Sequence, residues 1–192
     1  MSDIALPPIA GAHRLIVVVG PSGAGKDSVL RAWRASLGAA APVVARRVIT
    51  RAPDDTEPHE AATPGDFAGL RGRGLLATWW QAHGLDYGVR RSELAPLSGG
   101  RWVVLNGSRE HLPALRAQAP GLRVVCVSAP APVLASRLAA RGREGADARD
   151  ARLARATALP VEADLHLVND GALDECVASL SLWWAAQRRS QD

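Results

Sequence analysis

The sequence LIVVVGPSGAGKDS, residues 15–28, decides the fold. Its first five residues, Leu15–Val19, are all apolar, which is typical of a buried parallel strand. GPSGAGK then fits the pattern G-x-x-x-x-G-K, and apolar residues at helical spacing follow over Lys26–Leu37. A strand, a glycine-rich loop and a helix in direct succession predict a phosphate-binding loop, whose backbone N–H groups and helix N-terminus face the anion. The loop residues are Gly20, Pro21, Ser22, Gly23, Ala24, Gly25 and Lys26.

Lys26 supplies the positive side chain of this loop. We expect it to bridge the β- and γ-phosphates of ATP and to stabilise the charge that develops during phosphoryl transfer. Of the 23 Lys and Arg residues, Lys26 alone is a lysine and 22 are arginines. In a chain with this preference, a lysine indicates a position where a planar guanidinium cannot replace the compact ammonium group. The alternative, a glycine-rich turn with an exposed lysine, is disfavoured by the flanking strand and helix.

The residue after Lys26 departs from the usual pattern. Phosphate-binding loops have Ser or Thr there as a magnesium ligand, whereas this chain has Asp27, with a hydroxyl one residue later on Ser28. A carboxylate beside phosphates is repulsive unless a cation lies between them. We therefore predict that Asp27 and Ser28 bind Mg²⁺ directly or through its water. The alternative is that Asp27 only stabilises the first turn of the helix.

Composition excludes several classes of protein. The length of 192 residues suits one domain, and 47% hydrophobic with 22% charged residues is ordinary for a soluble protein. No apolar run approaches the roughly 18 residues of a membrane span, and residues 1–13 lack a secretory signal pattern. Cys126 and Cys176 match no metal-binding spacing and lie in apolar segments, so we expect reduced, buried thiols in a cytoplasmic protein.

The chain is basic, with a formal charge of +4 and a pI near 10.0. Such a charge can indicate nucleic-acid binding. However, the arginines are spread along the whole sequence and no block of consecutive basic residues occurs. We expect no nucleic-acid partner, and a site that holds several phosphates instead.

Strand and helix patterns alternate along most of the chain. Four more strands are predicted at 43–49, 102–105, 122–127 and 164–168, and helices at 110–118, 132–140, 148–159 and 173–188. This alternation predicts an α/β fold with a parallel five-stranded sheet and helices on both faces.

Residues 50–97 interrupt the alternation. They are rich in Pro, Gly and charge, with one short helical pattern near 67–75. Because open α/β sheets bind ligands beyond the carboxyl ends of their strands, we predict a ligand-binding insertion here. The whole chain is expected to be a single domain, with its core at about 1–49 and 98–192, the insertion at about 50–97 and a charged, glycine-bearing loop at about 141–150.

Five motifs resemble, in order, those of the guanylate-kinase-like branch of the nucleoside monophosphate kinases. They are the phosphate loop, Thr50-Arg51, AHGLDYG at 82–88, RLAARGR at 137–143 and Arg152-Leu153. The resemblance implies a P-loop kinase fold that uses ATP and Mg²⁺ and has an arginine-rich lid. Arg141, Arg143 and Arg152 would then stabilise the transferring phosphoryl group and exclude water. Asn169 would lie on the adenine side of the nucleotide.

Three positions depart from guanylate kinases. Where those enzymes hold GMP with a serine, a second arginine and a tyrosine, this chain has Arg47, Asp54 and His59. The glutamate that reads guanine has no clear counterpart. An arginine favours an additional anion over the amide edge of a base. The acceptor is therefore expected to be compact and rich in phosphate, without a base.

These departures resemble a narrower family, the ribose 1,5-bisphosphate phosphokinases. The shared motifs are GKDS at 25–28, RVITR at 47–51, WQAHGL at 80–85, NGSR at 106–109, RGRE at 141–144 and NDG at 169–171. The resemblance implies phosphorylation of ribose 1,5-bisphosphate by ATP to 5-phospho-α-D-ribose 1-diphosphate, in phosphonate breakdown. The alternatives are a guanylate kinase and a non-catalytic guanylate-kinase-like interaction module. Such modules typically lack the loop lysine and the lid arginines.

The resemblance also implies roles for individual residues. The acceptor-binding residues would be Arg47, Arg51, His59 and Tyr87. Tyr87 is predicted to lie in a polar turn, and His59 could equally be a plain surface histidine. No general base is needed, since the acceptor phosphate is already an anion, which fits Asn106 where related kinases have an acid. Trp79, Trp80, Trp183 and Trp184 are predicted to be packing residues, and the protein a monomer or homodimer.

Overall fold

The structure, a computed structural model, describes residues 6–52, 58–140, 161–171 and 173–190. Its strands are β1 Leu15–Val19, β2 Val43–Val44, β3 Arg47–Ile49, β4 Glu60–Ala61, β5 Leu76–Ala82, β6 Leu85–Arg90, β7 Val103–Asn106, β8 Arg123–Ser128 and β9 Leu165–Val168. Its helices are α1 Lys26–Leu37, α2 Pro64–Gly72, α3 Arg91–Leu94, α4 Leu112–Gln118, α5 Ala131–Ala140 and α6 Leu173–Arg189. The predicted helix at 148–159, the predicted lid and Asp54 lie outside the described residues.

The predicted parallel five-stranded sheet is confirmed. Its strand order is β2-β7-β1-β8-β9. Parallel pairing places Val43 opposite Val103 and Val125 opposite Leu165. All residues of β1 are at most 1% exposed, which agrees with its uninterrupted apolar sequence.

The predicted strand at 43–49 is wrong in one respect, because the chain changes sheets within it. β2 belongs to the five-stranded sheet, while β3 pairs with β4 and β6 in a second sheet. The amide of Ala45 still donates to Val104 O at 2.9 Å, but the amide of Arg46 donates to the carboxylate of Glu93 at 2.9 Å. At Arg46 the partner of the backbone amide is therefore the Glu93 side chain and not β7, so the pairing of β2 with β7 ends there.

The predicted insertion contains more regular structure than expected. β5 and β6 form an antiparallel hairpin, and the second sheet has the order β4-β3-β6-β5. The placement of Tyr87 in a polar turn is wrong, since it lies within β6 opposite Trp80. The turn is formed by His83 and Gly84, whose φ values of 54° and 72° are typical of a two-residue hairpin loop. The helical pattern near 67–75 corresponds to α2, which begins earlier because Thr63 and Asp66 form a capping box.

The described residues pack as two compact units. The first comprises Met1–Val17 and Pro42–Arg123. Its second sheet covers a buried cluster formed by Val48, Phe67, Leu70 and Leu76. No helix in the described ranges is long and apolar enough to cross a membrane.

The second unit comprises Val18–Ala41 and Val124–Asp192. Trp33 of α1 meets Trp184 of α6 edge-on, with ring centroids 5.5 Å apart at 87°. Trp184 is therefore a packing residue, as predicted. Cys126 and Cys176 are buried thiols, also as predicted.

Candidate active site

The phosphate loop lies between β1 and α1, in the second unit. Lys26 is the first residue of α1, and its ammonium group donates to Gly20 O at 2.9 Å and to Pro21 O at 3.1 Å. The loop backbone turns at Gly23 and Gly25, whose φ values of 88° and 84° are readily adopted by glycine. The lysine is thus held against the same loop whose amides are expected to bind phosphate.

Two glycines of the loop are required by close packing. A Cβ atom on Gly20, at φ 150°, would overlap the backbone carbonyl of Val127 in β8. A Cβ atom on Gly25 would overlap the side-chain amide of Asn169. Neighbouring groups therefore approach the loop backbone at these two positions more closely than a residue with a Cβ atom permits.

Asn169 follows β9 and contacts the phosphate loop directly. Its side-chain amide donates to Ala24 O at 2.8 Å, and its backbone amide donates to Ser128 O at 2.8 Å. Arg137 of α5 donates to Asn169 O at 3.1 Å. The residue is 4% exposed, so the bond to Ala24 is sheltered from water. Asn169 and Arg137 together brace the loop, while a contact of Asn169 with adenine stays a prediction.

Asp27 and Ser28 lie in the first turn of α1, beside Lys26. Asp27 is partly buried and Ser28 is exposed. Among the described residues, no three His, Cys, Asp or Glu side chains are grouped to hold a metal ion. Protein sites for Mg²⁺ at phosphates commonly supply only one or two ligands, the rest being phosphate and water oxygens. The donor set at 27 and 28 fits that pattern.

In the first unit, the structure brings Arg47 and Tyr87 together. The guanidinium carbon of Arg47 lies 5.4 Å from the centroid of the Tyr87 ring, within the range of a cation–π interaction. The same guanidinium donates to the backbone carbonyl of Asn106 at 3.2 Å, at the end of β7. Two predicted acceptor residues, Arg47 and Tyr87, thus form one group.

Arg51 and His59 form a second pair in the same unit. The Nε2–H of His59 donates to Arg51 O at 3.2 Å. Thr50, the neighbour of Arg51, is tied to the hairpin because its hydroxyl accepts from the amide of Asp86 at 2.8 Å. His59 is partly buried, and its role in binding the acceptor stays a prediction. Arg141, Arg143 and Arg152 lie outside the described residues.

Sequence reasoning missed a stack of rings behind Tyr87. Trp80 lies parallel to Tyr87, with centroids 5.5 Å apart at 7°, and it also stacks with His111 at 5.2 Å and 18°. Thr78 and Nε2 of His111 are hydrogen-bonded at 2.7 Å, and burial lowers the pKa of His111. The His-Gly turn could have predicted the hairpin and hence the pairing of Trp80 with Tyr87. His111, which lies 31 residues from Trp80 in sequence, gave no such signal.

The chain has several sequence relatives among known proteins. No family model matches the chain. A ribose 1,5-bisphosphate phosphokinase of Acidiphilium cryptum is 49% identical over 158 residues, covering 82% of this chain and 84% of that protein. One of Rhizobium etli is 45% identical over 175 residues, covering 88% of each. A bifunctional ribose 1,5-bisphosphokinase-thymidine phosphorylase of Azorhizobium caulinodans is 44% identical over 149 residues, 77% of this chain but 22% of that longer protein.

A solved structure supports the same fold. The guanylate kinase of Anaplasma phagocytophilum superposes with a TM-score of 0.61 at 18% identity, covering 95% of this chain and 87% of that one. The sheet order and the phosphate loop therefore define a P-loop kinase of guanylate-kinase-like fold. The sequence relatives narrow this class. The chain belongs to the ribose 1,5-bisphosphate phosphokinase family.

Proposed function

We propose that this protein transfers the γ-phosphoryl group of ATP to the 1-phosphate of ribose 1,5-bisphosphate, in phosphonate breakdown. An oxygen of the 1-phosphate bonds to the γ-phosphorus, the bond from that phosphorus to the β–γ bridging oxygen breaks, and ADP leaves. The products are ADP and 5-phospho-α-D-ribose 1-diphosphate. The contact of Arg47 with Tyr87 carries the proposal, because it joins two of the expected acceptor residues and includes a guanidinium, which favours a phosphate over the amide edge of a base.

On the nucleotide side, the phosphate loop and Lys26 would hold the β- and γ-phosphates. Bound Mg²⁺ would neutralise charge on those phosphates, with Asp27 and Ser28 as its protein ligands. Arg141, Arg143 and Arg152 are proposed to add positive charge around the transferring group and to exclude water. Asn169 is proposed to contribute to nucleotide binding.

On the acceptor side, the proposed ligands of ribose 1,5-bisphosphate are Arg47, Arg51, His59 and Tyr87. Two arginines suit a substrate with two phosphates, since each guanidinium can bind a phosphate through two parallel hydrogen bonds. A phosphate is ionised at neutral pH, so alignment and charge neutralisation can accelerate transfer without a base. We also propose a cytoplasmic monomer or homodimer without a nucleic-acid partner.

An ADP-release assay across three acceptors tests this function. We expect efficient turnover with ribose 1,5-bisphosphate, and little with ribose 5-phosphate or GMP. Lys26→Ala protein, purified in the same way, controls for contaminating kinases. Turnover of GMP comparable to that of ribose 1,5-bisphosphate would identify a guanylate kinase instead and overturn the proposal.

A further inference from the structure

Four side chains of the first unit form a continuous stack, which we call the ring column: Arg47, Tyr87, Trp80 and His111. The guanidinium of Arg47 covers the Tyr87 ring, Tyr87 is parallel to Trp80, and Trp80 is nearly parallel to His111. The column has a buried end, since Trp80 is 6% exposed and Thr78, which bonds His111, is fully buried. Its other end is the charged group of Arg47.

A bulge in β5 provides the geometry of the buried end. The register of β5 against β6 shifts between Leu76 and Thr78, so that Ala77 is an extra residue on the strand. The carbonyl of Ala77 accepts from the side chain of Gln118 at 2.5 Å, which ties the bulge to α4. Thr78 and Trp80, two residues apart beyond the bulge, lie on one face of the strand and meet His111 at the beginning of α4.

The neighbouring tryptophan has different contacts. Trp79 lies on the opposite face of β5, packs against the buried cluster around Phe67, and has Arg71 over its ring at 4.7 Å. Trp79 thus has an arginine over its ring, whereas Trp80 stacks with Tyr87 and His111. Substitutions of Trp79 and Trp80, which are adjacent in β5, can therefore be compared to separate the effect of the ring column from that of ordinary packing.

We propose that Trp80, supported by His111, is a positioning residue for the acceptor phosphate. Trp80 fixes the plane of the Tyr87 ring, and that ring, together with the carbonyl of Asn106, fixes the guanidinium of Arg47. A planar guanidinium binds phosphate oxygens well only when its orientation is correct, so the column gives Arg47 its affinity for a sugar phosphate. This inference rests on the proposed function and adds Trp80 as a residue that determines specificity for the acceptor.

The test compares Trp80→Leu with Trp79→Leu in the full chain, with Trp80→Phe as the conservative variant. For each protein, kcat and KM are measured for ribose 1,5-bisphosphate and for ATP, with thermal unfolding alongside. We expect Trp80→Leu to raise the KM for ribose 1,5-bisphosphate about tenfold or more, because a misplaced binding group weakens alignment steeply. The KM for ATP should change less than about twofold, and Trp80→Phe should recover most of the acceptor affinity.

Trp79→Leu should lower the unfolding temperature but leave both KM values unchanged. Equal effects of the two leucine variants on the acceptor KM overturn the inference while leaving the proposed function intact. Wild-type protein without activity on ribose 1,5-bisphosphate overturns the proposed function and this inference together. If Trp80→Leu does not fold, His111→Leu decides: a raised acceptor KM supports the column, and an unchanged one contradicts it.

Discussion

The phosphate loop and the ring column are held in place by different means. In the loop, the backbone conformation depends on glycines and on contacts to backbone atoms, such as the bond of Asn169 to Ala24 O. In the column, side chains position one another through ring faces. We therefore expect changes at the loop to impair nucleotide binding or phosphoryl transfer, and changes at the column to weaken binding of the acceptor.

The largest effect is expected for Gly20→Ala. The added methyl would overlap the carbonyl of Val127 at a φ that disfavours side chains, so the loop or β8 must move. We expect a loss of about 3 kcal/mol or more in the free energy of unfolding, measured by urea denaturation. Gly69→Ala, in α2 with no atom within 4 Å of the new Cβ, is the matched control and should be neutral or stabilising. Similar losses in both variants would contradict the close-packing argument.

Lys26→Arg is expected to retain the fold and lose function. The guanidinium is planar and bulky, whereas the ammonium fits between Gly20 O and Pro21 O. Turnover should fall about a hundredfold or more, while the KM for the acceptor stays within about twofold. Steady-state kinetics with both substrates checks this. Near-normal turnover would show that the single lysine has no special role.

Asn169→Ala should have an intermediate effect restricted to the nucleotide. The substitution leaves the carbonyl of Ala24 without this buried bond, at a cost of about 1–3 kcal/mol. We expect the KM for ATP to rise about tenfold and the acceptor KM to stay unchanged. Arg137→Met, which removes the donor to Asn169 O, should change the KM for ATP in the same direction. An altered acceptor KM alone would show that the two regions are not separate in function.

Substitutions of Asp27 are expected to have a smaller effect, through the electrostatics of the phosphate loop. A carboxylate about 4 Å from a phosphate charge costs about 4 kcal/mol at an effective dielectric near 20, unless a cation lies between them. Asp27→Asn should therefore raise the Mg²⁺ concentration for half-maximal rate several-fold. Asp27→Ser, which restores a hydroxyl ligand, should keep partial activity. If wild type and both variants need the same Mg²⁺ concentration for half-maximal rate, Asp27 does not bind the metal and only stabilises the first turn of α1.

The smallest effect concerns the ion pair between Glu60 and Arg90 in the second sheet. Arg90 donates to both carboxylate oxygens of Glu60, and this hydrogen bonding lowers the pKa of Glu60. Since the folded-state pKa is lowered, the pair stabilises above the unfolded pKa of about 4.3, and that stability is lost as pH falls through the folded value. Glu60→Gln should cost about 1 kcal/mol or less at pH 7 and less at pH 3, by urea denaturation. An equal cost at both pH values would contradict an ionic contribution.

The sequence predicted those parts of this protein that are built from consecutive residues. The run Leu15–Val19, the loop and the helix after it are contiguous, so their pattern was sufficient for the strand, the phosphate loop and the sheet class. The second sheet was missed because its pairings join β3 to β6 across nearly forty residues of mixed composition. Trp80 is buried, as its predicted packing role requires, but nothing in the sequence around it indicates that His111 stacks on it.

The bond between Asn169 and Ala24 also has a consequence for biosynthesis. It joins residues 145 positions apart, so the phosphate loop is made long before the side chain that braces it. At about 5–20 residues per second, roughly 7–30 s separate the synthesis of the two partners. Contacts of such long range are also expected to form late in folding. The growing chain therefore carries the phosphate loop for many seconds before Asn169 is available to brace it.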